Sequence, residues 1–439
     1  MTAANQPVLI AGTWRPARAV GTYQACEPAT GASREAVWPV SGWADLDEAL
    51  DAATAAAAEL VRLPGAAIAA FLERYATRLQ GRGDELVAAA HAETALAVKP
   101  RLADVELPRM LDQLRQAAAA AREGTWRMPM IDTAKNIRSA AFGLGPVVVF
   151  PPNNFPFAFG AVTGGDFAAA IAAGNPVIAK SHRGHPSVSM LAAAEAVEAL
   201  RETGLPAATV QLVHAVADGE RLVADARVGA TGFTGSEEAG RKLFAAAAAA
   251  GRVIWVEMGA INPVVLLPGA LAERGAEIAG ELAVSITGSA GQLCTKPGLV
   301  FYVGDAAGTA FAAAVAEKFA AVGPQVLLGP AGRESLAAAV AAVAAAGARV
   351  VTGGKAGPGP CGHEPTRCSW RLLAMPRCWC DARLSTNFAA PFPAPVDRWA
   401  RACTSPRTVA TTRKPGPCWN CSCNDRAASS RIGCRRGLR

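Results

Sequence analysis

Apolar residues recur at two different spacings along this chain. Residues 46–80 and 84–122 carry them at helical intervals, broken only by a proline and a glycine, which predicts long amphipathic helices. Residues 8–40 instead hold short apolar runs separated by glycine and proline, a pattern typical of short strands and turns. The first third of the chain is therefore predicted to combine a small β region with a helical layer.

From residue 145 onward, short β-branched runs alternate with helical segments. The predicted strands are 147–150, 176–180, 210–213, 229–233, 253–256, 263–267, 299–303 and 350–354, and the predicted helices are 159–173, 187–203, 220–227, 271–286, 306–321 and 333–346. Strands that alternate with helices form largely parallel sheets with crossover helices on their faces. The pattern predicts an α/β fold.

The periodicity ends at about Gly354, and the remaining 85 residues have a different composition. They carry 15 Lys or Arg against 4 Asp or Glu, and nine of the 11 cysteines. The positive net charge of +7 belongs to this tail, since the rest of the chain is slightly acidic. No nucleic-acid-binding face is expected on the main body. Few aliphatic residues remain to fill a core, so we expect poor order in the tail.

Location follows from what the sequence lacks. No run of eighteen apolar residues predicts a membrane span, and residues 1–16 lack a basic region followed by an apolar stretch. Only two cysteines, Cys26 and Cys294, precede residue 355, which suits a reducing compartment. We expect a cytoplasmic protein with no membrane partner.

Two residues are candidates for catalysis. Cys294 lies in a loop of small residues, Gly288–Thr295, where a backbone amide can face a bound substrate. Glu257 ends a predicted strand beside Gly259, where a carboxylate can act as a general base. Each has an ordinary alternative, an inert thiol and a solvated turn acid, which is the commoner outcome for either residue alone.

Three further sites follow predicted strands. Asn154 lies in a proline-rich elbow, and its amide is either an oxyanion donor or simply a turn residue. Lys180 ends the next strand, at a position suited to phosphate or ribose, although a solvated charge is as good an interpretation. Residues 232–240 form a glycine-rich turn from strand to helix that could offer amides to a pyrophosphate, although they lack the usual dinucleotide fingerprint.

Together these segments resemble the aldehyde dehydrogenase family over about residues 8–354. The matching motifs, in family order, are Asn-Phe-Pro at 154–156, Lys180, Phe-Thr-Gly-Ser at 233–236, Glu-Met-Gly at 257–259 and Gly-Gln-x-Cys at 291–294. Five motifs in series are far more specific than any one of them. The segments 155–159, 164–166 and 172–176 further resemble a branch that contains NADP-dependent 2-oxoglutarate semialdehyde (2,5-dioxopentanoate) dehydrogenases and fatty aldehyde dehydrogenases.

The resemblance implies a mechanism. The thiolate of Cys294 would attack the aldehyde carbon while the Asn154 amide and the Cys294 backbone N–H hold the oxyanion. After hydride transfer to nicotinamide, Glu257 would activate water to hydrolyse the thioester. Family members that transfer the acyl group to coenzyme A tend to lack this glutamate, so hydrolysis is expected here, and the acylating reaction stays an alternative.

The resemblance also implies a coenzyme. NAD-preferring relatives have a glutamate three residues after the strand lysine, where this chain has Arg183. A cation there suits a 2′-phosphate, so NADP is predicted, with NAD also possible. Phe233, Gly235 and Ser236 are predicted to contact the coenzyme together with Lys180. No metal is expected in the active site.

The implied architecture has a Rossmann-type coenzyme domain at 1–252 and an α/β catalytic domain at 253–354, followed by a non-family tail at 355–439. The family's Glu-x-Phe-Gly-Pro segment is missing; its nearest counterpart, Asn387-Phe388-Ala389-Ala390-Pro391, lacks the acid. The strand that would complete a partner subunit's sheet is also unrecognisable, so the family's homo-oligomer interface is expected to be lost. We interpret the residues after about 366 as out of frame, which resequencing of the gene would test.

Three points stay open from the sequence. The chain could be an inactive remnant of such an enzyme, or its tail could bind zinc or nucleic acid through Cys378, Cys380, Cys418, Cys421 and their neighbours, although these spacings match no established zinc motif. The aldehyde is also undecided. No arginine closely follows Asn154 to bind a carboxylate, and three phenylalanines (155, 157 and 159) favour an apolar entrance. The branch resemblance favours 2-oxoglutarate semialdehyde over longer aliphatic aldehydes.

Overall fold

The computed structural model describes residues 5–353 and the backbone of three short strands after them. The strands are β1 (Val8–Ile10), β2 (Thr13–Arg15), β3 (Ala19–Cys26), β4 (Ser33–Ser41), β5 (Met130–Asp132), β6 (Ile137–Ser139), β7 (Val147–Phe150), β8 (Val177–Lys180), β9 (Val210–Val213), β10 (Ala215–Val216), β11 (Ala230–Thr234), β12 (Val253–Glu257), β13 (Pro263–Leu266), β14 (Leu299–Tyr302), β15 (Gln325–Val326), β16 (Arg349–Gly353), β17 (Arg367–Cys368), β18 (Arg371–Ala374) and β19 (Thr386–Phe388). The helices are α1 (Trp43–Leu60), α2 (Gly65–Gly81), α3 (Gly83–Thr94), α4 (Leu107–Glu123), α5 (Gly165–Ala172), α6 (Pro186–Thr203), α7 (Gly219–Ala224), α8 (Glu237–Ala249), α9 (Pro268–Thr287), α10 (Ala306–Ala320) and α11 (Pro330–Ala345).

A seven-stranded sheet organises the first part of the chain, in the order β12-β11-β7-β8-β9-β1-β2. The strands from β12 to β9 are parallel, and β1 and β2 add an antiparallel edge. The chain moves outward from β7 through β8 to β9, and returns to the other side of β7 for β11 and β12. Strand order therefore reverses at β7, and such a switch point opens a ligand crevice at the carboxyl ends of the strands.

Strand β7, in the middle of the parallel part of the sheet, is apolar throughout because both faces of the sheet are covered there. Val147 and Val149 in β7 pack into a core that includes α2, α4 and α6, whereas Val148 and Phe150 join a second core with α1, α7 and α8. Successive side chains of a strand point to opposite faces, so a run without polar residues is what two covered faces require. The sequence prediction of a parallel α/β sheet is confirmed.

A second sheet, in the order β13-β14-β19-β18-β16, follows in the chain. Its β13 and β14 are parallel, and α9 and α10 contribute most of its separate core. The first sheet includes β12, so it runs past the predicted domain boundary at residue 252, and the division into two domains stays a prediction. Within the tail, the structure describes only the backbone of β17, β18 and β19. The predicted poor order of the tail therefore concerns residues that lie mostly outside the described part of the chain.

One predicted helix is much shorter than expected. Periodicity predicts a helix over 159–173, but α5 covers only Gly165–Ala172. Residues 151–164 form turns instead, and a Cβ on Gly164 would lie 2.6 Å from the backbone of Phe159. The two close glycines in this segment, Gly160 and Gly164, allow the chain to fold back on itself, a signal that apolar spacing does not carry.

Candidate active site

The turn segment after β7 carries Asn154 to the cysteine loop. The Asn154 side-chain nitrogen Nδ2 donates a hydrogen bond of 2.6 Å to the carbonyl oxygen of Gln292, two residues before Cys294. The thiol of Cys294 is free and the residue is exposed. Two motifs that lie 138 residues apart in sequence are thus in direct contact.

Glu257 lies at the carboxyl end of β12, beside the same crevice. Its residue is exposed, and its carbonyl oxygen accepts a 3.0 Å bond from the backbone N–H of Gly235. The chain then reaches the cysteine loop through Asn262, whose Nδ2 lies 2.6 Å from the carbonyl oxygen of Cys294. The segment from Glu257 to Asn262 therefore joins the first sheet to the cysteine loop, and convergence of the Glu257 carboxylate with the Cys294 sulfur stays a prediction.

A second carboxyl group, not foreseen from sequence, accompanies Glu257. Asp166 begins α5, and burial together with the Glu257 charge raises the pKa of Asp166. A Cβ added to Gly232 in β11 would lie 2.8 Å from Asp166 Oδ2, so the Asp166 carboxylate lies directly over this strand and a larger residue at 232 would displace it. The carboxyl edge of the sheet at β11 and β12 thus holds two neighbouring acids.

The carboxyl end of β8 carries positive charge. Lys180 ends the strand, and burial followed by the charge of Arg183 lowers the pKa of Lys180 to about 8. The Arg183 side chain is exposed and its guanidinium lies 5.1 Å from the centre of the Tyr23 ring. Among the described residues neither cation has an ion-pair partner, so both charges are available to an anion.

Two histidines next to these cations are neutral. Burial lowers the pKa of His185 to about 4, and burial with the neighbouring cations lowers that of His182 as well. His185 Nε2 lies 3.0 Å from the carbonyl oxygen of Pro152, so the neutral ring donates there. Its buried Nδ1 is left as an acceptor without a partner in the described part of the chain. The positive charge at this edge therefore comes from Lys180 and Arg183.

The predicted coenzyme turn lies between β11 and α8. Ser236 caps α8, with its Oγ accepting from the backbone N–H of Ala239 at 3.3 Å. Phe233 is buried against Phe150 and lies within 2.7 Å of the position that a Cβ on Gly235 would take. The turn therefore places a helix start at the crevice, where backbone N–H groups can face a phosphate. Contact of Phe233, Gly235 and Ser236 with a coenzyme stays a prediction.

Three charged residues of the site come from the segment before α4 and from its first turn, and the sequence reading missed them. Glu106 is buried, and its Oε1 accepts from the backbone N–H groups of Phe157 and Ala158 at 2.8 and 3.0 Å. Arg101 pairs with Glu106 and contacts the Asn154 segment, and Arg109 lies nearby. A signal for Glu106 was present, since an acid occupies a position where the helical period demands an apolar residue.

The aromatic residues after Asn154 do not all line an entrance. Phe157 is fully buried in the core, whereas Phe155 and Phe159 are partly exposed and pack edge-to-face with ring centres 5.2 Å apart. The exposed guanidinium of Arg109 lies 5.2 Å from the Phe159 ring centre and 5.9 Å from that of Phe155. The expectation that three phenylalanines line the entrance is wrong for Phe157. The fold also places Arg109, from the preceding helix α4, beside the other two rings.

Comparison with known proteins identifies the family. The family model described as "Aldehyde dehydrogenase family" matches residues 14–366, most of the chain. The chain belongs to the aldehyde dehydrogenase family. The predicted resemblance is confirmed, and the match ends at Thr366, the position after which we interpret the sequence as out of frame.

Relatives within the family agree with the predicted branch. The chain is 40% identical over 309 residues to alpha-ketoglutaric semialdehyde dehydrogenase 2 of Azospirillum brasilense, which covers 67% of this chain and 58% of that protein. It is 35% identical over 269 residues to alpha-ketoglutaric semialdehyde dehydrogenase of Acinetobacter baylyi, which covers 59% of this chain and 51% of that protein. The chain thus spans between half and three fifths of the length of these relatives.

Solved structures of the family share the fold. Lactaldehyde dehydrogenase of Escherichia coli superposes with a TM-score of 0.73 at 25% identity, over 84% of this chain and 77% of that one. Aldehyde dehydrogenase C of Pseudomonas syringae, solved with NAD⁺ and octanal, gives a TM-score of 0.73 at 22% identity, over 85% and 75%. These likenesses support the aldehyde dehydrogenase-like α/β fold predicted from the sequence.

Two other sequence expectations concern absences. Among the described helices, none is long and apolar enough to cross a bilayer. Over the same part of the chain, no three His, Cys, Asp or Glu side chains gather as metal ligands. The tail cysteines of the zinc alternative, from Cys378 onward, lie outside the described residues.

Proposed function

We propose that the chain oxidises an aldehyde to a carboxylic acid with NADP as coenzyme, and that its substrate is 2-oxoglutarate semialdehyde. The observation that carries the proposal is the contact between the Asn154 amide and the loop of Cys294. This contact supports the proposal because acyl chemistry at a carbonyl carbon needs a nucleophile and an oxyanion donor close together, the roles we propose for Cys294 and Asn154.

In the proposed reaction the Cys294 sulfur attacks the aldehyde carbon, and the carbonyl oxygen becomes an oxyanion near Asn154. Bound nicotinamide would supply the hydride acceptor, which leaves the acyl group on sulfur as a thioester. Glu257 then takes a proton from water, and the hydroxide displaces the sulfur to release the acid. A glutamate that activates water by removing its proton favours hydrolysis over transfer to coenzyme A.

The coenzyme preference rests on the edge of β8. Lys180 and Arg183 have no ion-pair partner among the described residues, and both belong to the carboxyl end of this strand and the loop that follows it. The 2′-phosphate of NADP supplies the anion that such cations attract, whereas the ribose hydroxyls of NAD do not. The residues present therefore fit NADP, and NAD would bind more weakly.

The substrate assignment combines relatives with one side chain. The two relatives compared above are named for alpha-ketoglutaric semialdehyde, which carries a carboxylate at the far end from its aldehyde. Arg109 is exposed above the rings that follow Asn154 and has no ion pair within the described residues. A guanidinium there can bind a carboxylate, which a longer aliphatic aldehyde lacks.

The direct test is turnover of the purified full chain. With NADP and 2-oxoglutarate semialdehyde, absorbance of the reduced coenzyme should rise, and the Cys294→Ala variant should show no rise. An equally long aldehyde without the carboxylate should react less efficiently, and NAD should be the poorer coenzyme. Because the family match ends at residue 366, a chain that binds NADP but forms no product is the competing outcome, and it would mark an inactive remnant.

A further inference from the structure

Arg101 contacts both halves of the proposed active site. It lies in the short segment before α4, and its side chain is only 16% exposed. Its Nη2 donates to the backbone carbonyl oxygen of Asn154 at 2.9 Å, and its Nε donates to Ser289 Oγ at 3.2 Å. One rigid guanidinium thus bridges the Asn154 segment and the loop that leads to Cys294.

Glu106 holds this guanidinium and the Asn154 segment at once. Its Oε2 pairs with Arg101, while its Oε1 accepts from the backbone N–H groups of Phe157 and Ala158. The carboxylate is buried, and burial raises the pKa of Glu106 although the Arg101 charge lowers it. A buried carboxylate with all these partners is held in a fixed position and is shielded from solvent.

The cysteine loop needs a fixed contact of this kind. Ser289 and Ala290, shortly before Cys294, both adopt left-handed backbone conformations with φ of 50° and 54°. These conformations cost about 1 kcal/mol each for residues other than glycine and persist where surrounding contacts hold them. The Arg101 bond to Ser289 is one such contact. It reaches the strained segment from the same side chain that holds Asn154.

We propose that Arg101, oriented by Glu106, is a positioning residue that sets the Asn154 amide against the Cys294 loop. The proposal rests on the oxyanion role given to Asn154 under the proposed function. Each of the three Arg101 side-chain nitrogens bonds to the protein, and the guanidinium stacks over the Phe155 ring at 4.3 Å, so we assign it a positioning role rather than substrate binding. Its effect on the reaction passes through the position of Asn154.

Two cofactor-independent probes of Cys294 separate this role from general structural damage. Para-nitrophenyl acetate acylates the thiolate: sulfur attacks the ester carbonyl, an oxyanion forms, and the bond to para-nitrophenolate breaks with its electron pair. Iodoacetamide alkylates the same sulfur by displacing iodide and forms no oxyanion. The Cys294-dependent rate of para-nitrophenolate release is the part of the total rate that is lost in the Cys294→Ala variant. Alkylation by iodoacetamide is measured on the peptide that contains Cys294, because other cysteines also react.

Arg101→Met is expected to slow acylation about tenfold to a hundredfold, because a displacement of about 1 Å in a reacting group costs that much. Alkylation should change less than about twofold. In an Asn154→Ala background, Arg101→Met should add less than about a further twofold, since the group it positions is gone. Arg101→Lys should recover only part of the rate, because an ammonium cannot span the same three acceptors.

Arg78→Met is the matched control. Arg78 is also a partly buried, ion-paired arginine, and within the described part of the chain its side-chain hydrogen bonds go to Glu195 and Glu202 rather than to the Asn154 segment or the Cys294 loop. The Arg78→Met variant should have a lower melting temperature and an unchanged rate of acylation. Equal slowing of both probes by Arg101→Met, or a full multiplication of its loss with that of Asn154→Ala, would overturn the positioning role. Absence of any Cys294-dependent acylation in the unsubstituted chain would instead remove the proposed function, and the role of Arg101 with it.

Discussion

Charge is arranged in opposite ways beneath the Asn154 segment and at the edge of β8. Under the segment, Arg101 and Glu106 neutralise each other, and their other hydrogen bonds go to backbone groups and to the Ser289 hydroxyl. At the edge of β8, Lys180 and Arg183 have no acid to pair with among the described residues. Ion-paired (matched) charges stabilise the fold, whereas charges at a crevice that lack an ion-pair partner among the described residues (unmatched charges) indicate a site for a ligand. Arg109 and Glu257 belong with the unmatched group by the same criterion.

The largest effect is expected at Glu257, the unmatched acid. Glu257→Gln keeps the size of the side chain but removes the base, so steady-state turnover should fall roughly a thousandfold. One equivalent of reduced coenzyme should still form rapidly, because Cys294 can be acylated once. Stopped-flow absorbance measures both phases. Turnover within about tenfold of the unsubstituted chain would assign the base elsewhere, with the neighbouring Asp166 as the first alternative.

The unmatched cation at the edge of β8 should be the next most sensitive. Arg183→Glu places an acid beside the 2′-phosphate, and kcat/KM with NADP should fall about tenfold to a hundredfold from charge repulsion. The value with NAD should fall far less or rise. Parallel kinetics with both coenzymes give the ratio. An unchanged ratio would mean that the charge of Arg183 serves something other than coenzyme choice.

Arg109 should have a smaller effect, confined to one substrate class. Arg109→Met removes one charge-assisted contact, so KM for 2-oxoglutarate semialdehyde should rise about tenfold. KM for an uncharged aldehyde of equal length should hardly change. Arg101 provides the internal contrast, since its substitution should lower kcat for both aldehydes alike. Equal sensitivity of the two aldehydes to Arg109→Met would exclude carboxylate recognition by this residue.

The smallest effect concerns pH. Burial and Arg183 lower the pKa of Lys180 to about 8, so the ammonium is charged below this pH and loses its proton above it. Affinity for NADP should therefore be highest near pH 7, where Lys180 is charged, and should fall about threefold as the pH rises past 8. His182 and His185 are already neutral and contribute no change there. Lys180→Arg should flatten the profile measured by coenzyme fluorescence titration.

The sequence predicted the parts of this molecule that are local. Runs such as Val147–Phe150 are apolar on both faces, and this gives both the strand and its burial. Cys294, Glu257 and Asn154 carry short motifs of the family. The partners of Arg101 and Glu106 carry no such motif in a single sequence, because they lie some fifty and nearly two hundred positions away; only the position of Glu106 in the helical period hints at its burial. Long-range contacts of charged groups need the fold before they can be seen.

The proposed carboxylate contact illustrates the same limit. No arginine closely follows Asn154 in the sequence, whereas the fold brings Arg109 in from a helix that precedes it. The order of motifs along the chain says which segments exist, and packing of α4 against α2 and α5 decides which of them meet. The short α5 has a similar origin, because close backbone contacts at Gly160 and Gly164 override apolar spacing.

The bond from Asn154 to Gln292 has one more consequence. A carboxamide nitrogen carries two hydrogens, and the 2.6 Å contact with the Gln292 carbonyl commits one of them. Because the amide group is planar, this commitment fixes the direction of the other hydrogen. Any shift of the backbone just ahead of the thiol therefore turns the second N–H as well. In the proposed reaction, the loop of Cys294 would therefore determine whether a donor faces the reacting oxygen.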